Sequence, residues 1–221
     1  VGSDMEVRSV ENKFEGAKVT VVGLGINLPE VFAHSGTPNH PIKLICMSRI
    51  AKKKRIDLCI EALRLLNSSA PNYTLEIYGT GSVNLEDELR NLARNLHLEN
   101  SVKFMGHVDG VEKIAAFTKS DIVLLPSENE NFALMVAEAI AFGRPVVISK
   151  NVAMHKFVDS HKAGLIIPEL EVEYLAAAIQ RIVENYAFFQ KNCLASAQLL
   201  DWKVVIQDWI KALQNDLSDN A

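Results

Sequence analysis

From Ile42 onward, short apolar runs alternate with segments in which apolar residues recur every three to four positions. The apolar runs predict β-strands, and the wider spacing predicts amphipathic helices. Strands are predicted at residues 42–47, 73–78, 102–104, 122–125, 146–148 and 165–167. Helices are predicted at residues 56–67, 85–96, 111–118, 132–142 and, less regularly, 153–159.

This alternation of strand and helix indicates right-handed crossovers and a parallel sheet with helices on both faces. The runs ICM, VLL and VVI are apolar without alternation, as is typical of strands that are covered on both sides. The fold class that we predict is therefore α/β, in three α/β/α layers around a mainly parallel six-stranded sheet.

The two ends of the chain break the alternation. After Pro168 the pattern predicts only helices, at residues 171–185, 188–200 and 202–217, and the last one carries Trp202 and Trp209 on one face. Because tryptophan is usually well buried, we expect that face to be internal core; packing on something outside the chain is the alternative. Residues 1–41 hold one predicted strand, 18–22, and then a loop rich in Gly, Pro, His and Asn.

The opening VGSDM resembles residues left by an expression vector, so we interpret residues 1–17 as a vector-derived segment followed by a linker. Residues 18–221 are then expected to form a single domain. The chain has 221 residues, 48% hydrophobic and 23% charged, which is enough to bury a large core and excludes disorder, coiled coil and collagen-like repeats.

The net charge of −4 offers no overall attraction for nucleic acid or an anionic membrane, so an anion site must be local. We find neither a signal-peptide pattern nor an apolar run long enough to span a bilayer. We therefore expect a cytoplasmic protein without a transmembrane segment, and peripheral membrane attachment of the full-length protein stays open.

Metal binding is not indicated by the cysteines and histidines. Cys46, Cys59 and Cys193 lie far apart, no CxxC pair occurs, and the six histidines form no HxxxH. Cys46 and Cys59 stand in apolar surroundings, which favours buried thiols in a reducing compartment.

Two glycine pairs are candidates for nucleotide sites, and the sequence around them supports the two unequally. Gly23 and Gly25 invite a dinucleotide-binding interpretation and hence an NAD-dependent enzyme, but Leu28 and Pro29 follow where a third glycine and a helix would be needed. We predict a turn after a strand there. Gly79 and Gly81 follow a predicted strand, where they would let a ligand approach the backbone or would form a plain turn; both interpretations stay open.

A basic loop follows the strand at 42–47 and contains Arg49 and Lys54. An arginine fork and a mobile lysine could clamp a diphosphate at the carboxyl edge of the sheet, although a run of charges is more often a solvated surface loop.

Glu130 and Glu138 flank the predicted start of a helix near Phe132. Glu130 would lie in the loop and Glu138 about two turns inside the helix, roughly 10 Å away, with the free N–H groups of the first turn between them. A phosphate at that N-terminus with a hydroxyl-rich group on each side would fit, as in a nucleotide-diphosphate sugar. Alternatively, Glu130 complements the helix dipole and Glu138 is a solvated position. Neighbouring alanines indicate a buried helix, in which a charge needs a partner.

The segment SENENFALMVAEAIAFGRPVVIS resembles the signature of the retaining glycosyltransferases of group 1, in which two glutamates are separated by seven residues. MSRIAKKKRIDLCIEAL, YGTGSVNLEDEL, VKFMGHV and AGLIIP are similar to further segments of that family, in the same order. The likeness extends from about Lys18 to Leu217. It implies the C-terminal, donor-binding half of a two-domain GT-B enzyme, with a Rossmann-like fold.

The resemblance also implies roles for individual residues. Arg49 and Lys54 would contact the donor diphosphate, Glu130 the sugar hydroxyls and Glu138 the ribose, with Glu130, Arg49 and Lys54 forming the catalytic set. Backbone near Val108 would meet the base. The whole donor-binding set comprises Arg49, Lys54, Gly79, Gly81, Val108, Glu130, Asn131, Phe132, Ala133, Leu134 and Glu138, without a metal or a cofactor.

Several positions depart from the family pattern. Ala133 and Arg55 stand where glycine is usual, and His155 and Lys156 lie where a glutamate is expected. The donor would be a UDP-, GDP- or ADP-sugar, and the acceptor a glycan or lipid-linked molecule bound through an N-terminal domain missing from this chain. We expect this chain alone to be inactive. The alternative is a non-catalytic nucleotide-binding subunit that needs a partner chain to complete the cleft.

Overall fold

A computed structural model describes residues 1–16, 18–30, 36–68 and 72–219 of the chain. Part of the loop predicted after residue 22, residues 31–35, lies outside the described residues, as do residue 17 of the predicted linker and residues 220–221. Within the described ranges, every helix falls short of the length or the apolarity that crossing a bilayer requires.

One six-stranded sheet lies at the centre of the fold, and all of its neighbouring strands run parallel. The predicted parallel sheet is therefore confirmed. The strands are β1 (Ile42–Met47), β2 (Tyr73–Tyr78), β3 (Val102–Gly106), β4 (Ile122–Leu125), β5 (Val146–Ser149) and β6 (Gly164–Ile167). Their spatial order β3-β2-β1-β4-β5-β6 puts β1 beside β4, so that the chain winds outward in opposite directions from this pair.

Helices cover both faces of the sheet, as the alternating pattern predicts. The helices are α1 (Asp4–Lys13), α2 (Ile56–Leu66), α3 (Val83–Asn95), α4 (Gly110–Lys119), α5 (Leu134–Ala141), α6 (His155–His161), α7 (Val172–Glu184), α8 (Tyr186–Ala197) and α9 (Trp202–Asp219). The side chain of Leu44 in β1 packs into the layer of α2, α3 and α7, while Ile45 packs into the layer of α4, α5, α6 and α8.

The N-terminal region differs from the sequence-based prediction. The linker assigned to residues 1–17 contains helix α1, and no strand forms at residues 18–22, whose Val22 N–H instead donates to the carbonyl of Val1 at 3.0 Å. A β-rich run becomes a strand only when it pairs with a sheet edge, and residues 18–22 pair with none in the described part of the chain.

Gly25 has a packing role at the contact between the N-terminal region and helix α9. A Cβ atom at this position would come within 2.7 Å of the Cα of Trp202, so the glycine allows the chain to pass against the start of α9. Gly23 has a left-handed backbone conformation, with φ of 68°, but residues 18–25 form neither a strand nor a regular turn, so the prediction of a turn after a strand is wrong. The expected burial of the tryptophans is wrong, because Trp202 and Trp209 expose 37% and 36% of their surface. Ile210 and Leu213 on the same helix are exposed as well.

A buried polar network ties the amino-terminal edge of the sheet together. Asp121, just before β4, accepts hydrogen bonds from the backbone of Asn39 at 3.0 Å and of Lys43 at 2.7 Å. The hydroxyl of Tyr186 donates to the carbonyl of Asp121 and accepts from the Arg144 guanidinium, both at 3.3 Å. Burial raises the pKa of Tyr186 to about 12, so its phenol stays neutral in the folded domain.

The predicted burial of the cysteine thiols is confirmed, since Cys46, Cys59 and Cys193 are all free and buried. Burial raises the pKa values of Cys59 and Cys193, and thiols in that state are poor nucleophiles and poor metal ligands. They belong to the core of the domain.

Candidate functional site

Loops from both halves of the sheet meet at its carboxyl edge, where β1 and β4 lie side by side and the strand order reverses. In open α/β sheets a crevice forms at such a point, because consecutive loops leave in opposite directions. Here the crevice is a cleft of about 470 Å³. It is lined by Met47, Ser48, Arg49, Tyr78, Gly79, Thr80, His107, Val108, Lys113, Leu134, Met135 and Glu138.

Part of the predicted donor-binding set therefore comes together in one cleft. Arg49, Gly79, Val108, Leu134 and Glu138 line it, although they come from loops and helices that follow four different strands. Arg49 is exposed, so its guanidinium is available to an anion in the cleft. The other predicted residues do not line this cleft: Lys54, Gly81, Glu130, Asn131, Phe132 and Ala133.

Gly79 and Gly81 are explained by the packing of two loops. A Cβ atom on Gly79 would lie 1.9 Å from the carbonyl oxygen of Ser48, and one on Gly81 would lie 2.4 Å from that of Ile50. The Ile50 N–H donates to the carbonyl of Thr80 at 2.9 Å, which holds the two loops together. These glycines thus bring the loop after β2 against the one that carries Arg49.

Lys54 and Glu130 form an ion pair beside the cleft. Lys54 ends a short 3-10 turn and is only 8% exposed, which is unusual for a lysine and contradicts a fully solvated basic loop. Glu130 is held from the other side, because its N–H donates to Asn151 at 3.1 Å and its carbonyl accepts from Ala153 at 2.9 Å. The pair links the basic loop, the loop after β4 and the loop after β5.

Helix α5 begins two residues later than the sequence pattern predicts, at Leu134 instead of Phe132. The reason is Ala133, which has φ of 65° and ψ of 62° and so cannot continue a right-handed helix. Glu138 consequently lies about one turn inside α5, and not two turns. In the described part of the chain no side chain caps this N-terminus, and the N–H groups of Leu134 and Met135 remain available to a ligand, whereas that of Val136 donates to Ala133.

Ala133 and Arg55, the two residues found where the resembling family has glycine, both adopt left-handed backbone conformations. Arg55 has φ of 50° just before α2, and its guanidinium binds the carboxylate of Asp57 at 2.9 Å. This hydrogen bond raises the pKa of Arg55 and keeps its charge on the loop. The unusual side chains have therefore not changed the turns that glycine would favour.

Glu138 has a partner that the sequence analysis missed. The Lys113 ammonium, on α4, binds its carboxylate, and both side chains line the cleft. The expectation that α5 is buried and that its charge needs a partner is confirmed, since Ala137 and Ala139 are 0% exposed. No motif surrounds Lys113 in the sequence, so only the packing of α4 against α5 reveals it.

Asn131 and Phe132 face away from the cleft. The Asn131 amide donates to Glu6 of helix α1 at 3.2 Å, and Phe132 lines a separate cavity with Met154 and Phe157. In the described part of the chain, no three His, Cys, Asp or Glu side chains converge as metal ligands would. The cleft therefore offers cations, a carboxylate and a free helix N-terminus, a set suited to an anion that carries hydroxyl groups.

Residues 28–197 match the family model described as Glycosyl transferases group 1. The chain is 31% identical to glycogen synthase of Mycobacterium tuberculosis over 194 residues, which make up 86% of this chain and 46% of that protein. It is 29% identical to a putative colanic acid biosynthesis glycosyltransferase of Salmonella typhimurium over 170 residues, or 73% of this chain and 41% of that one. The chain thus spans about half the length of the curated relatives that it matches.

Solved structures share the fold. The crystal structure of HepE from Anabaena in complex with UDP superposes with a TM-score of 0.70 and 25% identity, covering 79% of this chain and 49% of that one. The pneumococcal O-GlcNAc transferase GtfA, in complex with UDP and GlcNAc, gives a TM-score of 0.79 over 98% of this chain and 44% of that one. At 23% identity, the likeness to GtfA shows the fold alone.

Proposed function

The chain belongs to the glycosyl transferases group 1 family and has the Rossmann-like architecture of a GT-B glycosyltransferase domain, and we propose that it is the donor-binding half of a retaining enzyme. The donor is a nucleotide-diphosphate sugar, and the pathway is glycan or polysaccharide biosynthesis. One observation carries this proposal: Arg49 and Glu138 line a single cleft that adjoins the uncapped N-terminus of α5.

The diphosphate lies between Arg49 and the N-terminus of α5 in this proposal. Arg49 is exposed in the cleft and offers a planar fork that matches phosphate oxygens. The N–H groups of Leu134 and Met135 add the positive end of the helix dipole. Lys54 contributes a second positive charge once its ion pair with Glu130 rearranges around the donor.

The two glutamates take the hydroxyl groups on either side of the diphosphate. Glu138, which lines the cleft, accepts hydrogen bonds from the ribose. Glu130 accepts them from the sugar, and the loop after β5 positions Glu130 by holding its backbone. Backbone groups near Val108, which lines the same cleft, meet the base.

The reaction is metal-independent transfer with retention of configuration. The bond from the anomeric carbon to the diphosphate breaks, and a bond to an acceptor oxygen forms on the same face of the sugar while the acceptor proton passes to the departing diphosphate. The residues described above serve this reaction by stabilising the negative charge on the departing diphosphate.

A second half completes the enzyme and binds the acceptor, a glycan or a lipid-linked molecule. The exposed apolar face of α9, with Trp202, Trp209 and Leu213, supports such a partner, because contiguous exposed apolar surface usually marks an interface. We expect no sugar transfer by the isolated chain. The alternative function, a non-catalytic nucleotide-binding subunit, would use the same cleft with a separate partner chain.

Calorimetric titration of the chain with UDP, GDP and ADP tests the proposal. We expect one of these nucleotides to bind, and Arg49→Ala to weaken binding at least about tenfold, since it removes hydrogen bonds to a charged group. Lys54→Ala should weaken binding as well. The melting temperature of this variant is measured too, because the substitution leaves Glu130 without its partner. Lys53→Ala, an exposed position on the same loop, is the control. No binding by the wild type, or unchanged binding by Arg49→Ala, would contradict the proposal.

A further inference from the structure

The ion pair between Lys113 and Glu138 separates two cavities. On one side lies the cleft of about 470 Å³ described above, and on the other a pocket of about 160 Å³ whose walls are mostly apolar. Both residues line both cavities. The walls of the smaller pocket are completed by Ile26, Asn27, Pro29, Ile114, Phe117, Ala141 and Phe142.

Each partner of the pair projects from a rigid helix. Glu138 follows Ala137 and precedes Ala139, both fully buried, so its backbone cannot shift without disturbing the core. Lys113 lies in the first turn of α4, where its N–H donates to the carbonyl of Asp109 at 3.1 Å. Phe117, one turn further along α4, is 0% exposed and anchors that helix against the sheet.

The pair has an electrostatic consequence for an anionic ligand. An unpaired Glu138 carboxylate beside the diphosphate would repel it, whereas the Lys113 ammonium cancels that charge. The side chains are only 33% and 26% exposed, so solvent screens this interaction less than it would on an open surface. The ammonium also occupies Oε1 of Glu138 and fixes the orientation of the carboxylate.

From this geometry we propose that Lys113 is the positioning residue for ribose recognition: it holds Glu138 so that the carboxylate selects ribonucleoside over deoxyribonucleoside diphosphates. This inference rests on the proposed donor site, in which Glu138 accepts hydrogen bonds from the ribose. Lys113 itself acts through Glu138 and touches neither the base nor the phosphates. The apolar pocket behind the pair favours this arrangement, because it offers the ammonium no other anion.

The test compares UDP, GDP and ADP with their 2′,3′-dideoxy forms by calorimetric titration of the whole chain. The wild type should prefer the ribose form of the bound nucleotide at least about tenfold, as expected for hydrogen bonds to a charged group. In Lys113→Met this preference should fall to less than about threefold, in addition to a smaller loss of affinity that both forms share because the unpaired Glu138 repels the diphosphate. Lys113→Arg, which keeps the charge, should restore most of the preference.

Lys119→Met is the matched control, because it removes the same charge from an exposed position at the other end of α4. It should leave the preference unchanged. If Lys113→Met weakens ribose and dideoxy forms equally, Lys113 contacts the nucleotide directly or serves only stability, and the inference is wrong. A preference that survives in Lys113→Met overturns the inference while leaving the donor site intact. Failure of the wild type to bind any of the three nucleotides overturns both.

Discussion

The two edges of the sheet use similar polar residues in opposite ways. At the amino-terminal edge, Asp121 and Tyr186 are buried, and their hydrogen bonds are made to the protein itself. At the carboxyl edge, Arg49 is exposed, and Lys113 and Glu138 meet within a cleft large enough for a ligand.

This difference follows from the direction of parallel strands. All βα loops leave at the carboxyl edge and diverge where β1 meets β4, which opens a crevice there, while the amino-terminal edge is closed by returning segments. Polar groups at the closed edge must be satisfied internally, so we assign them to stability. Those at the open edge line a cleft that a ligand can enter, so we assign them to binding.

The largest expected effect is on the closed edge. Asp121→Ala should lower the free energy of unfolding by about 3 kcal/mol, because the buried carboxylate accepts hydrogen bonds from the part-buried backbone N–H groups of Asn39 and Lys43, which then lose a charged acceptor. Urea denaturation measures this loss. Asp159→Ala, at an exposed carboxylate paired with Lys162, is the control and should change the free energy by less than about 0.5 kcal/mol. Equal losses in the two variants would show that the buried hydrogen bonds of Asp121 contribute no more to stability than an exposed ion pair does.

Alkaline pH should weaken the same edge through Tyr186. Its folded pKa of about 12 lies above the ordinary 10, so its contribution is fully present below pH 10. As the pH rises from 10 to 12, the unfolded chain loses the proton first, and stability falls by about 2 kcal/mol.

Urea denaturation between pH 8 and pH 12, compared between wild type and Tyr186→Phe, isolates this contribution. The buried thiols titrate in both proteins, so their effect cancels in the difference. Tyr186→Phe should start less stable at pH 8 and then lose less stability on the way to pH 12. Parallel curves would show that Tyr186 ionises as readily in the folded domain as in the unfolded chain.

The smallest expected effect concerns the open edge and the start of α5. Ala133→Gly should raise the free energy of unfolding by about 0.5–1 kcal/mol, because glycine adopts the left-handed conformation of this position without strain. Ala139→Gly in the same helix, a buried right-handed position, should destabilise by about 1 kcal/mol or more. Thermal unfolding compares the two variants. Destabilisation by Ala133→Gly would show that the left-handed conformation of Ala133 does not lower the stability of the domain.

Much of the fold is predictable from local patterns. Apolar runs such as VVI at 146–148 fall within observed strands, because a buried parallel strand needs a continuous apolar stretch. The run at 18–22 has similar composition and forms no strand, since pairing depends on a free sheet edge that local sequence does not reveal.

The candidate site divides in the same way. Glu138 is predictable because a single charge among alanines of a buried helix is exceptional. Its partner Lys113 is not, because the contact joins two helices that are separated by β4 in the chain. The backbone conformation of Ala133 also escapes prediction, as alanine ordinarily favours the interior of a helix.

The assignment of binding to one edge and stability to the other is tested most directly by measuring nucleotide affinity and melting temperature together in Arg49→Ala and Tyr186→Phe. We predict that Arg49→Ala loses at least about tenfold in affinity with an unchanged melting temperature. Tyr186→Phe should melt about 4 °C lower and bind the nucleotide as the wild type does. Unchanged affinity in Arg49→Ala, or a matching loss of affinity in Tyr186→Phe, would contradict this account.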